Sequence, residues 1–74
     1  MKEVLRTNDL VLISFVRSLF EDAGIAHLVL DNHMSTVEGS LGVLPRRVLV
    51  GEDVLSVAHR VLKENGLAHE IRET

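Results

Sequence analysis

Residues 25–50 read IAHLVLDNHMSTVEGSLGVLPRRVLV, and this stretch decides the fold. Both of its ends are rich in Val, Leu and Ile, which predicts one strand over 25–32 and another over 45–50. Between them, residues 33–44 contain two glycines and show no clear periodicity, so we expect a long loop. The two strands therefore follow each other along the chain with no helix between them.

Helical periodicity flanks this pair of strands on both sides. We predict a first helix over 10–23, with N-cap candidates in Thr7-Asn8-Asp9 and a glycine C-cap at Gly24. A second helix should begin with Asp53 as its N-cap and end at Gly66. The apolar stripes assigned to the core comprise Leu12, Phe15, Val16, Leu19 and Ala23 in the first helix, and Val54, Leu55, Ala58, Val61 and Leu62 in the second.

Two shorter stretches, 2–7 and 67–72, complete the pattern as strands. The element order is then βαββαβ, which is typical of the ferredoxin-like α+β sandwich. Right-handed crossovers would place both helices on one face of a four-stranded antiparallel sheet with strand order 4-1-3-2. We expect residues 1–74 to form a single domain of this kind.

The two faces of the sheet lead to a prediction about assembly. We assign Leu28, together with Ala26 and Leu30, to the helix-covered face. Antiparallel sheets with one wet face normally alternate apolar and polar residues. Three of the strands instead carry apolar residues on both parities: Val4 and Leu5, Leu28 and Val29, Val48 and Leu49. We therefore expect a homo-oligomer formed through the open sheet face, either a dimer or a trimer.

Composition excludes several classes of function. The chain has no Cys, which removes disulfides, thiolate metal sites and cysteine nucleophiles. It carries a net charge of −3 and lacks Trp and Tyr, so we expect no nucleic-acid partner. No apolar run approaches the roughly 18 residues of a membrane span, and the first residues lack the apolar stretch of a signal peptide. We expect a cytoplasmic protein without membrane contact.

The chemistry-bearing side chains do not form a recognisable catalytic or metal-binding pattern. The chain has four histidines, which do not converge in the predicted strand order: His27, His33, His59 and His69. Ser35, Thr36 and Ser40 share the loop with His33, but no nucleophile elbow, phosphate loop or dinucleotide fingerprint is present. We expect no catalysis, metal or cofactor, and an enzyme with an unrecognised active site in this loop stays the alternative.

The 33–44 loop is the best candidate for function, because hairpin connections usually take about two to five residues. Its glycines can expose backbone N–H groups to an anion, and two arginines follow directly. Successive strand residues point to opposite faces, so at most one of these arginines readily joins a given pocket. The candidate ligand- or partner-binding residues are His33, Met34, Ser35, Glu38, Gly39, Ser40, Gly42, Arg46 and Arg47. A merely structural loop is the alternative.

The stretch LDNHMSTVEGSLGVLPRRVLV at 30–50, between helices ending EDAGI and KENGL, resembles one family of small bacterial proteins. These are the putative prokaryotic signal-transducing proteins, whose function is largely unassigned. Glu38-Gly39-Ser40 and Pro45-Arg46-Arg47 are the landmarks of the resemblance. The family looks related in fold to the PII-type nitrogen regulators, which form trimers and touch partner proteins with a loop between strands two and three.

The resemblance implies the fold, the position of the loop and a tendency to oligomerise, but not nucleotide binding. We predict a small non-enzymatic binding or regulatory module whose loop contacts a partner protein or a small anionic ligand. The alternatives are the enzyme described above and a purely structural oligomerisation domain.

Overall fold

The computed structural model describes residues 1–30 and 45–72 of the chain. Its helices and strands are, in order, β1 (Lys2–Thr7), α1 (Leu10–Asp22), β2 (His27–Leu30), β3 (Arg46–Val50) and α2 (Leu55–Glu64). Single 3₁₀ turns cover Glu52–Val54, just before α2, and Ala68–Glu70, after it. The described part of the chain is therefore an α+β domain with two helices.

The strands form an antiparallel sheet in the order β1-β3-β2. One face of this sheet is covered, because the buried residues of both helices join those of the strands in one apolar cluster. This cluster comprises Val4, Leu5, Ile13, Val16, Phe20, Ile25, Val48, Val50, Ala58 and Leu62. The other face of the sheet, which we call the open face, carries the side chains that alternate with Val48 and Val50 in β3.

The predicted four-stranded sheet is wrong, since the described sheet has three strands. Where a fourth strand was expected, Ile71 makes an isolated bridge to Leu5, and the Arg72 amide donates to the Val4 carbonyl at 2.8 Å. Leu67 and Ile71 both pack against the core, a spacing of four residues that a helical turn satisfies. A strand with the same two contacts would turn the side chain of His69 toward the core, which explains the 3₁₀ turn.

A bulge in β1 places its two apolar residues, Val4 and Leu5, on the same face of the sheet. The pairing with β3 shifts between Glu3 and Leu5, so that Val4 and Leu5 together oppose Val48. A bulge of this kind lets two successive side chains point the same way. Val4 and Leu5 are both fully buried, so β1 does not present apolar residues on both faces.

The predicted orientation of β2 is also wrong. Leu28 is 47% exposed and pairs with Leu49, whereas Val29 pairs with the fully buried Val48. The alternating residues of β2 are about equally apolar on the two faces of the strand, so its own sequence cannot determine which face points to the core. The register with β3 selects it, and turns Leu28 outward.

In α1 the core stripe is rotated from the predicted one. The buried residues are Ile13, Val16 and Phe20, while Phe15 is 43% exposed. The reason is that the first two turns of α1 are apolar almost all round, which leaves the direction of the stripe undecided. The core therefore uses residues that continue to Phe20 along one side of the helix.

The helix ends agree with the sequence at three of four positions. Asp9 caps α1, since its Oδ1 accepts from the amides of Val11 at 2.9 Å and Leu12 at 3.2 Å. Gly24 and Gly66 have φ of 73° and 77°, the left-handed conformation expected at a helix C-terminus. Asp53 is not the N-cap of α2, because the 3₁₀ turn precedes this helix and Val54 occupies the cap position without a side-chain bond.

Candidate functional site

Most of the predicted site lies outside the described residues. This holds for His33, Met34, Ser35, Glu38, Gly39, Ser40 and Gly42. The structure does place the two remaining candidates, Arg46 and Arg47, at the start of β3. The described geometry of the site therefore begins with these two side chains.

The two arginines lie on opposite faces of the sheet, as successive strand residues do. Arg46 shares its parity with Val48 and Val50 on the covered face. Arg47 pairs with Arg6 on one side and with Leu30 on the other, which places it on the open face. Of the two candidates, Arg47 is thus the one that a partner approaching the open face would meet.

Arg47 belongs to a group of three charged side chains on the open face, which we call the charge cluster: Glu3, Arg6 and Arg47. The Arg6 guanidinium donates from Nε and Nη2 to the two carboxylate oxygens of Glu3, both at 3.0 Å. Arg47 Nη1 lies 4.0 Å from Glu3 Oε1. The carboxylate is held between two cations and the Glu3 side chain is only 9% exposed, while the side chains of Arg6 and Arg47 are each more than one third exposed.

The electrostatics of the cluster favour an anion. Two arginines and one glutamate leave a net charge of +1 on this surface, although the whole chain has a net charge of −3. The hydrogen bond from Arg6 to Glu3 and the charge of Glu3 raise the pKa of Arg6 above its ordinary value. Arg6 is therefore charged at any pH at which a protein of this kind is folded. A carboxylate or phosphate could accept from the exposed edges of both guanidinium groups.

Apolar side chains lie beside the charge cluster, in the same rows of residues that pair across the three strands. Glu3 pairs with Leu49, which pairs with Leu28. In the next row Arg6 pairs with Arg47, which pairs with Leu30. The open face thus combines a cationic side along β1 and β3 with a leucine side along β2.

Sequence reasoning did not single out Glu3 and Arg6. Residues three apart on a regular strand lie on opposite faces, so their alternation argued against a pair. The bulge at Val4 adds one residue and brings both side chains to the same face. The charge pattern KEVLR contains the two partners, but only the register with β3 brings them together.

Other kinds of site were also sought among the described residues. No group of three or more His, Cys, Asp or Glu side chains in 1–30 and 45–72 is placed to hold a metal ion. Neither α1 nor α2 combines the length and apolar character needed to cross a bilayer. His27 contacts the core instead, with its ring centroid 5.5 Å from that of Phe20 and its Nδ1 3.0 Å from the Ile25 carbonyl oxygen.

The fold and this face define a small α+β domain with a cationic and apolar sheet surface. The chain belongs to the family described as "Putative prokaryotic signal transducing protein", whose model matches residues 1–66 of the 74. The resemblance drawn from the sequence to this family is therefore confirmed. No curated protein matches the chain. The further likeness to PII-type regulators stays a prediction.

Proposed function

We propose that this protein is a non-enzymatic signal-transducing module that recognises an anionic group, in the first place an acidic segment of a partner protein. The family supports the signalling role. The charge cluster is the observation that carries the recognition role, because two partly exposed arginine side chains share a single carboxylate. An acidic side chain of a partner would complete the pairing that Glu3 begins.

The surroundings of the cluster support a protein partner. Leu28 is exposed in the row next to the one that holds Arg6 and Arg47, so an incoming segment could set an apolar side chain beside its carboxylate. Protein interfaces commonly combine such apolar contacts with charged groups around them. The loop residues His33 to Gly42 remain part of this proposal as predicted contributors, because their segment leads directly into β3.

Titration of the ¹⁵N-labelled chain with a hexaglutamate peptide and with inorganic phosphate tests this proposal. We expect amide shifts at Glu3, Arg6 and Arg47, with at least a ten-fold loss of affinity in Arg47→Ala. Arg17→Ala is the matched control, since Arg17 is exposed on α1. Equal affinity for Arg47→Ala and Arg17→Ala, with both variants folded, would contradict the proposal. Shifts with phosphate alone would indicate a small anion in place of the peptide.

Self-association through the open face stays a prediction, but its basis has changed. The bulge removes the contribution of β1, and two copies facing each other would bring two clusters of +1 together. The apolar residues of β3 on both parities also included Val48, which is fully buried on the covered face. Leu28→Lys, not Val48→Lys, is therefore the variant that tests this surface.

A further inference from the structure

The largest exposed apolar side chains of the described residues are concentrated on α1. Val11 is 78% exposed, Leu10 57% and Phe15 43%. Ser14 and Ser18, also exposed, lie between them at helical spacing. We call these five residues the α1 patch. The outward face of a surface helix is normally polar, whereas a helix that is apolar all round is usually buried.

The size of the patch is notable for a domain of this size. The three apolar side chains expose on the order of 300 Å², which reaches the range of the largest patches on monomeric proteins. Charged side chains begin in α1 only at Arg17, so Ser14 is the one polar side chain of the first two turns. The two serines are small enough to let another helix approach closely.

The neighbouring helix carries charges of opposite sign at its two ends. Glu52 and Asp53 stand in the turn that begins it, and Arg60 and Lys63 stand in its second half, with Glu64 beside them. All five side chains are exposed. If two copies of α2 lay antiparallel, the acidic start of each would face the basic half of the other. The same charges also favour each helix dipole on its own.

We infer that the helix layer, formed by α1 and α2, is the contact surface between two copies of this chain. A two-fold axis across the layer sets α1 antiparallel to its copy, patch against patch, and α2 antiparallel to its copy. The apolar patches then supply a central contact, and Asp53 of each copy lies near Lys63 of the other. A closed two-fold dimer buries both α1 patches and pairs the charges of the two α2 helices in one interface.

The area available matches this arrangement. The 13 residues of α1 rise about 20 Å, and two adjacent helices are together about 20 Å wide. Because side chains project from both helices, the accessible area of this layer exceeds its flat outline and approaches the roughly 800 Å² per partner of a standard interface. That is about one sixth of the 4769 Å² surface of the chain. Both open sheet faces stay outward, so one dimer would present two charge clusters.

Sedimentation velocity from 1 to 200 μM tests the inference. We expect a mass rising from 8.2 kDa toward about 16 kDa, and a constant 8.2 kDa for Val11→Lys with Phe15→Lys. Leu28→Lys is the matched control on the open face and should dimerise like the wild type. A wild-type chain of 8.2 kDa throughout overturns the inference. So does a dimer that Leu28→Lys dissociates and the α1 variant does not.

Charge reversal gives a second test that does not depend on the apolar patch. Asp53→Lys alone and Lys63→Asp alone should each weaken the dimer at least five-fold. The two changes together should restore the dissociation constant to within about three-fold of the wild type, since the pair is only exchanged. Additive losses in the double variant would overturn the antiparallel arrangement of α2. Melting curves of each variant show whether the monomer is intact.

Discussion

Glu3 organises the open face, because one carboxylate accepts from Arg6 at two 3.0 Å contacts and attracts Arg47 at 4.0 Å. Its side chain is nearly buried between the two cations. The same carboxylate competes with any external anion for those guanidinium groups. Glu3 therefore both positions the arginines and limits how strongly they bind a partner.

Replacing Glu3 with Gln should raise the affinity for inorganic phosphate by up to about five-fold, the range of exposed ion pairs. The amide keeps the shape of the side chain but removes the competing charge. The ¹⁵N titration described above measures the change, with Glu21→Gln on α1 as the control. Unchanged affinity in Glu3→Gln would show that the cluster is not the anion site.

Leu28→Asp should fold, because this side chain is half exposed on the open face. Val48→Asp should unfold the domain, since an uncompensated carboxylate on the covered face costs several kcal/mol, about the whole stability of a small domain. Circular dichroism melting curves compare the two variants directly. A Leu28→Asp chain as unfolded as Val48→Asp would place Leu28 in the core after all.

At the scale of elements, the beginning of α1 depends on one side chain. Asp9 accepts from the amides of Val11 and Leu12, which would otherwise lack partners within the helix. The apolar first turns of α1 then hold Ile13 and Val16 against the sheet. The cap is thus coupled to the packing of the core.

Asp9→Ala should lower the free energy of unfolding by about 1 kcal/mol, or about 4–8 °C in the melting temperature. Asn8→Ala is the matched control, because Asn8 is exposed and directly precedes the cap. Thermal melts followed at 222 nm report the difference. Equal melting temperatures for the two variants would mean that Asp9 does not stabilise α1.

At the scale of the whole molecule, the apolar core extends past the last residue that the family model matches. The match ends at residue 66, but Leu67 and Ile71 pack against the core. Ile71 also bridges to Leu5, and the Arg72 amide bonds to Val4. These contacts cover part of the outer edge of β1, where the fourth strand was expected.

A chain ending at Gly66 should therefore be less stable by roughly 2–4 kcal/mol, from the loss of two partly buried apolar side chains. Urea denaturation measures the change. Ile71→Ala should reproduce part of the loss, whereas His69→Ala should not, since His69 is exposed. Full stability of the shortened chain would mean that the packing of residues 67–72 does not stabilise the fold.

The sequence by itself determined the features that depend on local chemistry. Both helices, their glycine ends, an N-cap of α1 within Thr7-Asn8-Asp9 and the first three strands follow from periodicity and from the conformations that single residues favour. The family follows from one stretch of the chain, 30–50. The opposite orientation of Arg46 and Arg47 follows from strand geometry alone.

Only the tertiary structure decided which faces are covered and which charges meet. The orientation of Leu28 and Phe15 was undetermined locally, because their elements are apolar on more than one side. Pairing with β3 settled the first, and packing of α1 onto the sheet settled the second. The bulge at Val4 joined Glu3 to Arg6, and the core contacts of Leu67 and Ile71 replaced a strand by a turn. Each of these outcomes depends on residues that are distant in sequence, so it could not be predicted from a local sequence pattern.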